Sequence, residues 1–188
     1  MKKSNKIERK CAKCCSFDLD LILMEDNTFM CQPCLLKKSD SMRTEFFPEI
    51  NKITDKIYLG NSDGSREKSI LKNELGVSHI LVCGRYLLKH HPDDFIYKEI
   101  PADDNEKEKI NKYFEETNNF IESANCVYVH CAAGVSRSAT IVIAYLIWKH
   151  KISFDEALKI VKEKRPMVSP NFNFEKQLRS YSKQYELF

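Results

Sequence analysis

One junction in the sequence constrains the fold more than any other: a strand-like run leads directly into a strongly apolar, helix-like run. Residues 126–130, CVYVH, are β-branched and aromatic, as in a buried strand. The stretch Ala139–Trp148 is almost entirely apolar, as in a buried helix. Only a short segment of small residues, containing Cys131 and Arg137, separates the two. A buried strand followed by a buried helix is typical of an α/β fold.

The segment between the two elements has the composition of an anion-binding loop. Its small residues allow successive backbone N–H groups to converge on one point. The helix that follows directs its N-terminal donors and positive dipole end to the same place. Arg137 adds a planar, two-pronged donor suited to phosphate oxygens. The same positive field favours the thiolate of Cys131, which is therefore a candidate nucleophile. The candidate binding residues are Ala132, Ala133, Gly134, Val135, Ser136 and Arg137.

The rest of the chain predicts a mainly parallel central sheet flanked by helices. Strand-like runs alternate with helix-like stretches, an arrangement that covers a parallel sheet on both faces. Ser153 and Glu156 form a capping-box pattern, and Ser169 before Pro170 suits the start of a last helix. The predicted strands are residues 56–60, 79–83, 95–100 and 126–130, and the predicted helical stretches are 65–76, 106–124, 136–150, 153–165 and 170–185.

The segment 130–138, HCAAGVSRS, resembles the signature loop of cysteine-dependent protein phosphatases, and its form is similar to the dual-specificity branch in particular. The resemblance extends over about residues 48–180. ITDKIYLGN resembles the opening strand of the family, GVSHILVC its next core strand, IPADD its acid-bearing loop and SPNFNFEKQL its last helix. It implies a fold of the protein tyrosine phosphatase type. It also implies a two-step reaction through a phosphocysteine, with no cofactor for catalysis.

The resemblance also implies roles for individual residues. Cys131 is the nucleophile, Arg137 holds the phosphoryl group and Ser138 helps the sulfur to leave in the second step. His130 orients the loop and does not transfer the proton. The acid that protonates the leaving oxygen aligns with Asp104, and the adjacent Asp103 is the alternative.

A second motif is formed by paired cysteines near the start of the chain, Cys11, Cys14, Cys31 and Cys34. Two Cys-x-x-Cys knuckles supply four thiolates in tetrahedral array, which predicts structural zinc. The residues between the knuckles can form a hairpin, and a unit this small needs metal to hold it together. A redox Cys-x-x-Cys and an iron–sulfur cluster are the alternatives, and Cys15 could replace Cys14 as a ligand.

These motifs divide the chain into four parts. We expect a basic arm at 1–10, a four-cysteine zinc module at 11–36, a linker at 37–47 and a dual-specificity phosphatase domain at 48–188. The knuckle pair is not a regular part of the phosphatase domain, so the sequence leaves the partner of the zinc module open.

Cys83 closes the strand at 79–83 and is a possible redox partner of Cys131. Parallel neighbours bring their carboxyl ends to one edge of a sheet, so the two thiols could approach each other. A neighbouring thiol can capture an oxidised nucleophile as a disulfide. The alternative is a buried strand cysteine of no chemical consequence.

Composition restricts the cellular setting. Lys and Arg number 30 against 27 acidic residues, for a net charge of +3, which does not indicate nucleic-acid binding. The most apolar stretch is far shorter than the ~20 residues of a membrane span, and no apolar segment follows the basic N-terminus. We expect a cytoplasmic protein, with the nucleus as a further location, acting on phosphorylated proteins. The alternatives are a non-protein phosphate ester (a phosphoinositide, an RNA 5′ end or a phosphoglucan) and an adaptor that mainly binds phosphorylated ligands.

Overall fold

The computed structural model describes residues 21–23, 29–31 and 49–185, and the chain divides into two units, 1–46 and 47–188. In the first unit, strands β1 (Leu21–Leu23) and β2 (Phe29–Cys31) pair antiparallel, with Leu21 opposite Cys31. The hairpin predicted between the two cysteine pairs is therefore present. The predicted arm, the linker and three of the four predicted zinc ligands, Cys11, Cys14 and Cys34, lie outside the described residues.

The second unit is built on a five-stranded mixed sheet of order β3-β4-β7-β5-β6. Strands β4, β7, β5 and β6 run parallel, and only the edge strand β3 is antiparallel to its neighbour. The predicted mainly parallel sheet is confirmed, whereas the short edge strand was not predicted. The strands are β3 (Ile50–Lys52), β4 (Ile57–Gly60), β5 (His79–Cys83), β6 (Ile96–Ile100) and β7 (Val127–His130).

One apolar helix forms the centre of the core. Every residue from Ser138 to Ile147 is buried, because this helix packs against the sheet while the other three helices pack around it. Alternate strand residues, such as Leu81 and Val129, point toward it. The helices are α1 (Phe114–Ser123), α2 (Arg137–His150), α3 (Phe154–Lys164) and α4 (Phe172–Ser182).

The opposite face of the sheet has a smaller apolar cluster that includes Leu71, Ile80, Val82 and Tyr128. The stretch predicted as a helix at 65–76 covers it with two short turns, Gly64–Arg66 and Ile70–Glu74. Leu71 is the fully buried residue of the second turn, and its neighbours on the chain face solvent. Leu75 packs against the same cluster while residues 72–74 face solvent, so this segment lacks the continuous apolar stripe that would support a longer helix.

The predicted cap at the start of α3 is confirmed, and the predicted cap of α4 is wrong. Ser153 and Glu156 form a complete capping box. The N-cap of α4 is Asn171, whose side chain accepts a hydrogen bond from the Phe174 backbone N–H. Ser169 does not cap the helix because α4 begins only at Phe172, two residues further on than a cap at Ser169 would require, and the N–H of Ser169 donates to the carbonyl of Val135.

The parallel strands place four loops at one edge of the sheet. The chain leaves β4 at Gly60, β5 at Cys83, β6 at Ile100 and β7 at His130, and all four ends lie on the carboxyl side. This is the edge at which open α/β sheets bind ligands. Within the part of the chain that the structure describes, no helix is long and apolar enough to span a membrane.

Candidate active site

The loop that joins β7 to α2 is held in a tight turn by glycine. Gly134 has a φ of 69°, in the left-handed region that favours glycine. A Cβ atom there would lie 2.4 Å from the carbonyl oxygen of Gly60. A larger residue at 134 would therefore push the loop away from β4. We refer to residues 131–137 below as the phosphate loop.

Four successive carbonyl groups of the phosphate loop, those of residues 132–135, have hydrogen-bond partners behind the loop. Since the C=O and N–H of a trans peptide point in opposite directions, the amides are turned to the other side. They form a concave set of donors, the arrangement that binds an anion. The oxygens of Ala132, Ala133, Gly134 and Val135 accept hydrogen bonds from Ser62 N, Arg165 Nη2, Arg165 Nε and Ser169 N, at 3.0, 2.9, 2.8 and 3.0 Å.

The thiol of Cys131 lies at the base of this set. The residue is 2% exposed, and its Sγ accepts hydrogen bonds from the Gly134 N–H and the Ser138 hydroxyl, each at 3.2 Å. Two donors aimed at one sulfur stabilise its anionic form. The structure thus brings Ser138 to the atom on which it was predicted to act.

Arg137 begins α2 with its guanidinium at the mouth of the loop. Its Nε is buried and has no hydrogen-bond partner among the described residues, and it lies 3.5 Å from Asp104 Oδ2. Gly84 makes room for it, because a Cβ there would lie 2.4 Å from Arg137 Nη1. A buried donor left open beside a concave set of amides fits a phosphate oxygen.

The two candidate acids occupy different positions. Asp104 lies against the phosphate loop, where its Oδ1 accepts hydrogen bonds from Ser136 Oγ at 2.8 Å and Asn171 Nδ2 at 2.9 Å. Asp103 instead pairs with Arg85 on the surface, at 3.1 and 3.2 Å. The placement favours Asp104 as the proton donor, since it is the aspartate that contacts the phosphate loop.

His130 is fully buried at the end of β7. Its Nδ1 lies 3.3 Å from the carbonyl of Cys131, and its ring stacks on Tyr128 at a centroid distance of 5.5 Å. Burial lowers the pKa of His130 to about 4, so the ring is neutral at physiological pH. A neutral ring bonded to a carbonyl carries its proton on Nδ1. This contact supports the predicted role in orienting the loop.

Cys83 lies beside the nucleophile. Val82 pairs with His130, so Cys83 occupies the next position toward Cys131, and both belong to one buried cluster. Burial, with the nearby charge of Cys131, holds the pKa of Cys83 well above its ordinary value.

Three functional contacts were not predicted from the sequence. Arg165 holds two carbonyls of the phosphate loop, Asn171 holds Asp104, and Gly84 makes room for Arg137. Asn171 lies in the SPNFNF segment, whose unusual Ser-Pro-Asn start was the available signal. No sequence signal marked Arg165, because an arginine at the end of a charged helix is ordinarily solvent-exposed.

A cysteine thiol within a concave set of backbone N–H groups, with an arginine at the mouth and a carboxyl group alongside, is the arrangement of a cysteine-dependent phosphatase. A family model described as the dual specificity phosphatase catalytic domain matches residues 57–184, and the chain belongs to this family.

Comparisons with individual proteins agree with this assignment. Dual specificity protein phosphatase 1 of Arabidopsis thaliana is 38% identical over 157 residues, covering 81% of this chain and 78% of that protein. Dual specificity protein phosphatase 1 of Homo sapiens is 38% identical over 132 residues, covering 68% of this chain but only 36% of that protein. The crystal structure of human tyrosine phosphatase-like serine/threonine/tyrosine-interacting protein has a TM-score of 0.68 at 27% identity, and the match covers 73% of this chain and 97% of that one.

Proposed function

We propose that the protein hydrolyses phosphotyrosine and phosphoserine or phosphothreonine in proteins through a phosphocysteine on Cys131. The observation that carries the proposal is the phosphate loop, in which the carbonyls of residues 132–135 accept hydrogen bonds from behind and the Gly134 N–H donates to the Cys131 thiol. The Arabidopsis and human relatives are both named as dual specificity protein phosphatases.

In the first step the Cys131 thiolate attacks phosphorus. The S–P bond forms as the bond from phosphorus to the substrate oxygen breaks, and Asp104 gives its proton to that oxygen. The loop amides and Arg137 bind the three remaining phosphoryl oxygens, whose charge they stabilise in the transition state. Proton transfer matters because an alkoxide or phenolate leaves poorly.

In the second step water attacks the phosphocysteine. The Asp104 carboxylate takes a proton from water as the O–P bond forms and the S–P bond breaks. The electron pair returns to sulfur, where the Ser138 hydroxyl and the Gly134 N–H, each 3.2 Å away, stabilise the thiolate. The products are inorganic phosphate and the starting enzyme.

The loop's side chains favour protein substrates over phosphoinositides. Ala132 and Ala133 are exposed and small, and Val135 and Ser136 add no charge. Lipid-directed relatives usually have lysines within this loop, which this chain lacks.

The test compares three substrates with the full-length protein: a phosphotyrosyl peptide, a phosphoseryl peptide of the same sequence and a short-chain phosphoinositide. Phosphate release from both peptides, lost in Cys131→Ser and severely reduced in Arg137→Lys, is the expected result. A Cys126→Ser variant, which changes another buried cysteine, the one that precedes strand β7, serves as the control. Release from the lipid alone would overturn the protein assignment.

We further propose that Cys11, Cys14, Cys31 and Cys34 hold one structural zinc ion. The spacing of the knuckles and the antiparallel pairing of β1 with β2 between them support the proposal. The phosphatase chemistry is independent of this metal, since the proposed mechanism uses residues of the second unit only.

A cytoplasmic location, with access to the nucleus, fits the same chemistry. Zinc thiolates and a thiolate nucleophile persist where thiols stay reduced. We propose phosphorylated proteins as the partners of the catalytic unit, with no role for nucleic acid.

A further inference from the structure

The guanidinium of Arg165 is buried behind the phosphate loop. The residue is 2% exposed and follows the last turn of α3. Its Nε and Nη2 donate to the carbonyls of Gly134 and Ala133 at 2.8 and 2.9 Å. Its Nη1 donates to Asn51 Oδ1 at 2.6 Å, and Nη2 also pairs with Glu49 Oε2 at 2.7 Å.

One of these contacts acts directly on the peptide that binds the nucleophile. The carbonyl of Ala133 and the N–H of Gly134 belong to the same peptide group, and that N–H donates to Cys131 Sγ. A donor held on the carbonyl fixes the plane of this peptide and polarises its N–H. Arg165 therefore orients and strengthens a donor to the sulfur.

The charge of Arg165 needs a counter-charge at this depth. Two carbonyls and an amide satisfy its donors but do not neutralise it, and a buried unpaired charge is costly. Glu49 is the carboxylate that the structure pairs with it. Glu49 and Asn51, two residues apart along the edge of the sheet, present their side chains to the same face. Asn51 of β3 and Glu49, the residue that precedes the strand, thus both reach Arg165.

We infer that Glu49 is a positioning residue for catalysis, acting through Arg165 on the Ala133–Gly134 peptide and so on Cys131. The inference rests on the proposed function only in taking Cys131 as the nucleophile. With the carboxylate present, Arg165 stays in place and both carbonyls remain turned outward. Without it, the uncompensated guanidinium moves toward water and releases the loop.

The test is Glu49→Gln, which keeps the shape and the acceptor oxygen but removes the charge. We expect alkylation of Cys131 by iodoacetamide at neutral pH, followed by mass spectrometry of its peptide, to slow about fivefold to tenfold, as for a weakened hydrogen bond to a charged group. The inhibition constant for inorganic phosphate should rise, and kcat/KM for an aryl phosphate should fall, by similar factors. Alkylation needs no turnover, so it tests the inference even if the proposed substrates are wrong.

The matched control is Glu99→Gln on β6, the opposite edge of the sheet. Its carboxylate pairs with Lys89 at 2.6 Å with a side chain 45% exposed, against 43% for Glu49. We expect this variant to alkylate at the rate of the unmodified protein. Equal slowing in both variants would overturn the inference, because it would show a general effect of losing an edge-strand charge.

A second variant separates positioning from simple stability. Adding Asn51→Asp to Glu49→Gln returns a carboxylate to the other contact of Arg165, and we expect it to restore the alkylation rate and phosphate inhibition. If Glu49→Gln lowers only the midpoint of thermal unfolding and leaves alkylation and phosphate inhibition unchanged, the role is structural and the inference is wrong. Failure of the added aspartate to restore a lost alkylation rate would also overturn it.

Discussion

Two adjacent aspartates show how strongly the role of a residue depends on its neighbours. Asp104 contacts the phosphate loop through Ser136, whereas Asp103 pairs with Arg85 and has a side chain 44% exposed. The sequence pattern left Asp103 as an alternative, since one residue of misalignment would exchange the two. The direction in which each side chain leaves the loop could not be predicted from spacing alone.

The proposed acid gives a prediction that depends on the leaving group. Asp104→Asn should slow hydrolysis of a phosphoseryl peptide by about 100-fold to 10,000-fold, the usual contribution of general acid catalysis. Hydrolysis of an activated aryl phosphate should fall much less, because its leaving group needs no proton. Steady-state kinetics on both substrates test this, with Asp103→Asn as the matched control. The opposite pattern, with Asp103→Asn impaired and Asp104→Asn normal, would show that the acid is Asp103.

The buried ring of His130 predicts a pH dependence of stability. Its folded-state pKa of about 4 lies below the unfolded value of about 6.5, so the unfolded state takes up the proton first. The contribution to the free energy of unfolding, about 3 kcal/mol, is present above pH 6.5 and is lost as the pH falls toward 4. Denaturant titrations at several pH values should therefore show that the free energy of unfolding falls less steeply between pH 6.5 and 4 for His130→Asn, which keeps a donor near the Cys131 carbonyl. The same dependence of the free energy of unfolding on pH in the variant and the unmodified protein would contradict the lowered pKa of His130.

At the scale of elements, the helices and strands that depend on apolar periodicity and burial could be predicted from the sequence. The strands at β4, β5, β6 and β7 and helices α2 and α3 appear where apolar pattern and capping placed them. The edge strand β3 was missed because three half-exposed residues carry no strand pattern of their own, and their pairing depends on β4. Asn171 replaces the predicted cap at Ser169 because the helix begins at Phe172, where the Asn171 side-chain oxygen accepts the Phe174 N–H.

The register of β5 against β7 gives a prediction about oxidation. We propose that peroxide oxidises the Cys131 thiolate to a sulfenic acid, which the Cys83 thiol attacks with loss of water to form a disulfide. Neighbouring strands are about 5 Å apart, within the Cα separation that a disulfide spans. Activity should recover with dithiothreitol in the unmodified protein and less completely in Cys83→Ser. Equal recovery of activity in both proteins would show that Cys83 is a buried strand residue with no protective role. The matched control is Cys126→Ser.

At the scale of the whole molecule, the chain joins two units with separate cysteine chemistry. The catalytic residues could be predicted from sequence because the phosphate loop is one contiguous segment. Arg165 could not, since it meets the loop only through the packing of α3 against α2. The four-cysteine motif remains a prediction based on spacing and on the β1–β2 hairpin.

The zinc proposal predicts one zinc ion per chain by elemental analysis of protein purified without chelator. Cys14→Ser should lose the metal, whereas Cys15→Ser, the adjacent cysteine, should retain it. Aryl phosphatase activity should be unchanged after zinc removal, because the proposed reaction uses no residue of the first unit. Absence of zinc from the unmodified protein would refute the site. Retention of zinc by Cys14→Ser together with its loss from Cys15→Ser would show that Cys15, and not Cys14, is the ligand.

The central claim is that the reaction passes through a phosphocysteine on Cys131, and trapping that intermediate tests it most directly. Ser138→Ala removes one of the two donors at Cys131 Sγ and should slow the second step more than the first. Rapid quenching of this variant with a phosphotyrosyl peptide, followed by mass spectrometry, should show one phosphoryl group on the Cys131 peptide. Turnover by Cys131→Ser at a near-normal rate, or a phosphoryl group carried by another residue, would contradict the account.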